Sequence, residues 1–366
     1  MLKPICSFLE KNPKSKAKAI AGHLGADKTE VNRVLHANLD KFAKNDDYEW
    51  SLLTPGELRF VFEGDSWLVA RDFEEIIGQS LCPLSSACPR IVFVLRDESK
   101  LLLEALARLL ALCNQLAGGG KEVTLDLTGA RSTDGYLNRL GFYDLLVAPV
   151  EVLPMRPKSN LAKAYRGNND AVIELRAIDP GAPDQEIPRL LQQSFVSCAG
   201  DSYSTAAFTF LSELFGNVVE HSGIAAAGFA GLQFYGGGKR HIQAVISDNG
   251  LGIAGTLAPI ISSRYPQVAK RISASKLHPG VALLKEVFSF GGISQVDEEG
   301  RGLGLRRSGQ LAEKFRARIS VRQSDFEFRI IQAREKVSYE HTVDLARIDG
   351  THICFDFMLD GPRKSR

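Results

Sequence analysis

The sequence predicts a mixed α/β protein assembled from three modules. Three observations carry this. A chain of 366 residues exceeds what one ordinary core spans. Helical and strand periodicities alternate along it. Breaks containing Pro or Gly fall at residues 54–56 and 154–159. A hydrophobic share of 44% with 24% charged residues fits globular modules and excludes a disordered tail. With 45 Lys+Arg against 43 Asp+Glu the formal charge is +2, so any nucleic-acid contact has to come from a local patch. The six cysteines, at 6, 82, 88, 113, 198 and 354, show no Cys-x-x-Cys pair and no histidine at zinc spacing. They read as reduced thiols of a cytoplasmic protein. The most apolar helical run, residues 101–117, contains Glu104 and Arg108 and falls short of a membrane span, and the N-terminus lacks an apolar signal core.

The first module covers residues 1–53. Residues 15–23 suit a short helix, and Gly25-Ala26-Asp27 supplies a turn with an N-cap candidate. Residues 28–39 carry Val31, Val34, Leu35 and Leu39 at helical spacing, and residues 48–52 alternate like a strand. Helix, turn, helix and closing strand is the plan of a winged helix-turn-helix.

The middle module covers residues 57–158. Residues 90–95 read as a strand, 100–116 as an amphipathic helix, Gly118-Gly119-Gly120 as a turn and 122–127 as a second strand, which makes a βαβ unit. A polar loop over 128–134, with Ser132 and Thr133 as N-cap residues, leads into a helix over 135–145 and a short strand over 150–153. Pro154, Pro157 and Ser159 mark a linker.

Residues 170–360 carry the chemistry. Over 205–222 the apolar Leu211, Leu214, Phe215, Val218 and Val219 fall in one helical arc, while Glu213, Asn217, Glu220 and His221 fall on the opposite one. Glu213 and Asn217 are four apart, so both reach one small object: a carboxylate orients or deprotonates a water, and an amide oxygen completes an oxygen-rich Mg²⁺ shell. Taken alone, this is equally a solvated helix face. A strand over 241–246 empties into Ser247-Asp248-Asn249-Gly250-Leu251-Gly252, where Asp248 offers an acceptor to an exocyclic amine and Gly250 and Gly252 leave room for a ring. The same Asp-Asn-Gly also fits a hairpin turn. Gly300, Gly302 and Gly304 then precede a helix over 305–314, exposing backbone N–H groups to an anion.

In this order the segments resemble the GHKL ATP-binding fold of histidine kinases, DNA gyrase and MutL. Glu213-x-x-x-Asn217 with His221 is similar to its N box, Asp248-x-Gly250-x-Gly252 to its first glycine box, and Gly300-x-Gly302-Leu303-Gly304 to its second. Gly350-Thr351, followed by an alternating strand over 352–358, is similar to the late Gly-Thr of that family. The resemblance implies an α/β sandwich binding ATP and Mg²⁺: Asn217 holds the metal, Glu213 positions or activates the attacking water, Asp248 binds adenine, and Gly300, Gly302 and Gly304 hold phosphate. Residues 254–299 would be a lid, and Thr351 would lie near the base. Glu220 stands where the family often has Lys.

Residues 28–36 with Trp50 resemble the Zα type of winged helix: Lys28, Asn32 and His36 stand four apart on one face, with His36 where the family has Tyr. That implies a grip on the phosphates of DNA or left-handed duplex nucleic acid. A protein-docking role for the module stays open. The middle module is faintly similar to STAS domains, partners of anti-sigma-factor kinases. The expected activity is therefore an ATPase or ATP-binding switch coupled to a winged helix. The alternatives are a serine/threonine kinase of the anti-sigma class, or a non-catalytic adaptor, with a protein partner or homodimer and no membrane.

Overall fold

The computed structural model describes residues 1–39, 41–53, 56–64, 67–96, 99–221, 228–290, 293, 317–333 and 336–359. The chain is mixed α/β, and among these residues no helix is long and apolar enough to cross a membrane. All six cysteines are free.

Residues 1–53 run α1 (Leu2–Lys11), β1 (Ser15–Lys16), α2 (Ala17–Leu24), α3 (Lys28–Ala37), β2 (Phe42–Lys44) and β3 (Glu49–Leu52), with the strands antiparallel in the order β1-β3-β2. Gly25 ends α2 at φ 61, a left-handed conformation that glycine adopts freely. Asp27 then caps α3, its carboxylate accepting from the Thr29 N–H at 2.7 Å and the Glu30 N–H at 3.2 Å. Such a cap contributes about 1 kcal/mol. Ile5, Leu9, Ile20, Val31, Leu35, Phe42 and Trp50 make the module's own core.

The middle region contains β4 (Glu57–Phe62), β5 (Trp67–Leu68), α4 (Ala70–Ile77), β6 (Arg90–Leu95), β7 (Lys100–Leu101), α5 (Leu103–Gly118), β8 (Glu122–Asp126), α6 (Arg131–Leu140), α7 (Phe142–Leu145), β9 (Glu151–Leu153) and α8 (Leu161–Ala164). Strands β4-β6-β8-β9 form a parallel sheet in chain order, and β5 pairs with β7. Because the order never reverses, right-handed crossovers place α4 and α5 on one face of the sheet. Phe62, Phe93 and Leu125 pack there against Phe73, Leu106 and Leu109, while Arg59, Glu122 and Glu151 face solvent.

The predicted helix over 135–145 starts earlier, at Arg131, and Gly141 at φ 81 breaks it in two. Ser132 and Thr133 therefore belong to its first turn and not to a capping loop. Thr133 is buried, and its hydroxyl donates to the Ser99 carbonyl at 2.7 Å.

The C-terminal region adds β10 (Val172–Ile178), α9 (Glu186–Ala199), α10 (Ser204–His221), β11 (Gly228–Tyr235), β12 (His241–Asp248), α11 (Gly252–Arg264), α12 (Pro266–Ala274), α13 (Pro279–Phe290), β13 (Ala317–Ser324), β14 (Phe326–Ala333), β15 (Lys336–Thr342) and β16 (Ile348–Met358). Its strands form one antiparallel sheet in the order β10-β11-β12-β16-β13-β14-β15. Alternation sorts each strand into two faces. Ile246, Ile319, Val321 and Phe355 pack under Phe195, Leu211, Phe215, Leu257, Ile261 and Leu284 of α9, α10, α11 and α13. Because α11 and α13 belong to this core, much of the expected lid over 254–299 is part of the domain body. Among its described helices, α12 buries no residue.

The opposite face carries Gln243, Arg318, Ser320, Arg322, Glu327 and Asp356, a polar row that a lone sheet would show to water. Here α4 and α5 cover it, giving four layers: parallel sheet, α4 and α5, antiparallel sheet, helices. Squeezed between two sheets, α5 buries nearly every side chain, including Glu104 and Arg108.

Arg108, 1% exposed, is the hub of the junction. Its guanidinium donates to Glu74 at 2.7 Å, Glu104 at 2.8 Å and Ser320 at 3.1 Å, and also to Glu327. Arg322 binds Glu74 at 2.9 Å, and Arg318 binds Asp356 at 3.1 Å. Arg329 meets Glu327, so Arg108, Arg318, Arg322 and Arg329 balance Glu74, Glu104, Glu327 and Asp356. Burial pulls the Arg108 guanidinium down, yet Glu327, Glu104 and Glu74 outweigh it and hold it well above its ordinary value. Burial likewise raises the Glu327 carboxyl, but Arg108, Ser320 and Arg329 bring it down to about 2. The pairing makes these charges tolerable inside the protein.

Candidate functional site

The site grows from the end of β12. At Asp248 the chain leaves the sheet, turns through Asn249-Gly250-Leu251 and enters α11, so the hairpin alternative does not occur. The turn is held by Asp248 itself, whose Oδ1 accepts from the Gly250 N–H at 2.7 Å. Across the sheet, Asp248 is paired in register with Thr351 of β16, and the Thr351 hydroxyl hydrogen-bonds the carboxylate. Thr351 Oγ1 in turn accepts from Gln323 Nε2 at 3.1 Å, while Gln323 Oε1 accepts from the Ala254 N–H in the first turn of α11 at 2.9 Å. Burial raises the Asp248 carboxyl above its usual range, opposed by the Gly250 N–H and by Thr351. The result is a positioned, part-buried acceptor beside a hydroxyl.

Two glycines allow this crossing. Gly350 has φ 92, and a Cβ there would stand 1.9 Å from the Asp248 carbonyl oxygen. Gly252 has φ 73, and a Cβ there would stand 3.0 Å from the Gly350 carbonyl oxygen and 3.4 Å from Gln323 Cδ. The space that the sequence reading reserved at Gly252 for a ligand ring is thus filled by Gly350 and Gln323. Gly250 is buried and serves as a donor.

Helix α10 lies against the same region. Leu211, Phe215 and Val218 enter the core, as the arc predicted, and Glu213 is half-buried. A Cβ at Gly228 would meet both Val218 Cγ1 at 2.7 Å and the Ser247 carbonyl oxygen at 2.5 Å, so the C-terminal part of α10 passes beside the residue preceding Asp248. Glu213 sits roughly 7.5 Å back along the helix axis from Val218. Asn217 and His221 belong to α10, but their side chains lie outside the described residues, as do Gly300, Gly302 and Gly304. The structure therefore brings Asp248, Gly250, Gly252, Thr351 and the C-terminal part of α10 together. A polar hollow lined by Gln192, Ser197, Asp201 and Ser204 lies at the other end of α10.

In the N-terminal module, Lys28 and His36 are exposed and Asn32 is half-buried on α3. Trp50 is only 2% exposed, packed in the core with its ring edge-on to His36 at 4.9 Å. It backs the His36 ring, and β3 turns most of the indole inward, so the outward-facing groups of the predicted set are Lys28 and His36. Sequence reasoning passed over Lys44 and Tyr48. Tyr48 is 72% exposed at the β2–β3 turn, with Lys44 Nζ 5.1 Å from its ring centroid. An aromatic beside Asp46-Asp47 between two short strands was the available signal. Gln323 and Gln115, which also hold the site's walls, carried no motif.

Comparison with protein-family models, with curated proteins and with solved structures returned no match.

Proposed function

We propose that residues 170–360 bind Mg-ATP in the manner of GHKL domains, at the mouth of β12, and that occupancy governs an N-terminal winged helix that holds nucleic acid. The reading rests on one observation above the others. Asp248 and Thr351, distant in sequence, form a part-buried carboxylate–hydroxyl pair where the C-terminal part of α10 meets the end of a sheet strand. A carboxylate so placed suits the exocyclic amine of adenine. Asn217 would hold Mg²⁺, whose charge neutralises the phosphates when bound, and Gly300, Gly302 and Gly304 would offer backbone N–H groups to them. The role left to Glu213 is to take a proton from the attacking water on its carboxylate.

The expected behaviour of Glu213→Ala is retained nucleotide affinity with phosphate release slowed about 100-fold or more. Release at the wild-type rate, measured with γ-labelled ATP, would remove Glu213 from the chemistry. Label appearing on the chain itself in place of free phosphate would favour the kinase alternative.

For the N-terminal module the contact surface we assign is Lys28, Asn32 and His36 on α3 with Lys44 and Tyr48 at the β2–β3 turn. Replacing Lys28 and Lys44 together by alanine should weaken duplex binding uniformly across sequences and flatten its log–log salt dependence by about two. An unchanged salt slope would point to protein docking instead.

A further inference from the structure

Helix α5 belongs to the middle region, yet its last turn reaches the candidate site. The Gln115 side-chain amide makes three hydrogen bonds there. Its Nε2 donates to Asn249 Oδ1 at 2.9 Å and to the Asp349 carbonyl at 2.8 Å, and its Oε1 accepts from the Asp349 N–H at 2.9 Å. The amide thus satisfies both backbone groups of Asp349 as a neighbouring strand would, and ties that segment to the β12 turn. Asn249 follows Asp248 directly, and Asp349 precedes Gly350-Thr351. Both residues of the carboxylate–hydroxyl pair therefore lie within two positions of a Gln115 contact.

The two segments have almost no freedom to move separately. Gly350 lies so close to the Asp248 carbonyl that no side chain fits between them. A rotation of the Asp349–Gly350 peptide must displace Asp248, Thr351 or both. Gln115 shares the Asp349 carbonyl with His352 Nε2 of β16, 3.0 Å away, and holds it with a neutral group, so its influence is geometric.

A clamp needs a rigid mount, and α5 provides one. Its 16 residues span roughly 24 Å. Its first N–H groups, which no intrahelical carbonyl can satisfy, are capped from the other domain: the Leu103 N–H donates to Tyr235 Oη at 2.8 Å and the Glu104 N–H to Gln243 Oε1 at 3.2 Å. Glu104 in the first turn and Arg108 one turn on enter the buried ion network with Ser320, Glu327 and Arg318. The helix is thus pinned to the polar face of the sheet along its first half, and its last turn delivers Gln115 to the turn after β12 and the start of β16.

We propose that Gln115 is a positioning residue through which the middle region completes the nucleotide site, so that nucleotide binding and the seating of α5 on the sheet are energetically coupled. This rests on the nucleotide reading given above. Its neighbour supplies an internal control. Asn114, on the same turn, donates to the Leu145 carbonyl at 2.9 Å and accepts from the Val147 N–H at 3.0 Å, both within the middle region. A merely structural amide would behave alike at either position.

The test uses the full chain and Mg-ADP as probe. Calorimetric affinity and thermal midpoint are measured for wild type, Gln115→Met, Asn114→Leu and Asp248→Asn. The near-isosteric replacements keep packing while deleting hydrogen bonds. Gln115→Met should bind Mg-ADP about tenfold more weakly, and the Asp349 amide should exchange hydrogen faster. Asn114→Leu should lower the midpoint but keep affinity within about twofold of wild type. Wild-type affinity in Gln115→Met, with Asp248→Asn impaired, would overturn the positioning role and leave the site standing. Equal losses in the Gln115 and Asn114 variants would reduce the effect to general destabilisation and overturn it as well. No binding by wild type would remove the nucleotide reading and this inference with it.

Discussion

Replacing Arg108 by methionine should lower the thermal midpoint of the chain by on the order of 10 °C. The substitution keeps the stem of the side chain but leaves Glu74, Glu104 and Glu327 buried without their shared cation. Breaking a buried ion pair from one side costs about 3–5 kcal/mol, and here Arg322, Arg318 and Arg329, which still reach Glu74, Glu104 and Glu327, hold the loss to the lower end of that range. Adding Glu327→Gln to the variant should restore part of the loss, since the two side chains act as a unit. Differential scanning calorimetry checks both outcomes. Because α5 is core to both sheets at once, middle and C-terminal regions should also melt in a single transition. A midpoint within about 2 °C of wild type would mean that the layers are held by apolar packing alone.

The second large effect is expected at Asp248. Asparagine there keeps an acceptor for the Gly250 N–H but presents an amide where the proposed function sets a carboxylate against the adenine amine, so on that proposal Mg-ATP affinity should fall about 10- to 100-fold. Stability should move the other way. Burial raises the Asp248 carboxyl above its ordinary 3.8, so the native state favours its protonated form. That advantage is full below about pH 3.8 and is lost as pH rises through the elevated native value. At pH 7 the ionised side chain is thus a liability to the free protein, and Asp248→Asn should match or exceed wild-type stability while losing ligand. Unchanged affinity by calorimetry would remove Asp248 from nucleotide recognition.

Much of the architecture was legible because local physics wrote it into local sequence. Asp27 caps α3 where the turn predicted it, β6 occupies the predicted residues, and the apolar arc of α10 faces the core. The polar face of β13 and β14 was illegible. Arg318, Ser320, Arg322 and Glu327 alternate with apolar residues as on a solvated sheet, and only the distant Glu74, Glu104 and Arg108 make that face an interior. The corresponding signal lay in residues 101–117, apolar nearly all round, which marks a helix covered on every side. The burial of Trp50 was illegible because an aromatic on a closing strand looks the same in sequence whether it points in or out; β3 points it in. Gly252 was read as ligand space, whereas the backbone of Gly350, about a hundred residues later in sequence, fills it. In both cases the competing partner is set by tertiary contact and leaves no local pattern. At the candidate site, the motifs singled out Asp248 and Thr351, which the structure pairs, while Gln323 and Gln115, which hold the surrounding segments, carried no sequence signal.

The most direct test of the central claim is a crystal structure of the full chain grown with Mg²⁺ and a non-hydrolysable ATP analogue. The account predicts the purine amine within hydrogen-bond distance of the Asp248 carboxylate, the base beside Thr351, the metal on Asn217 and the phosphates against residues 300–304. Nucleotide bound elsewhere, or a β12 mouth at which Asp248 and Thr351 contact only protein under saturating ligand, would contradict it.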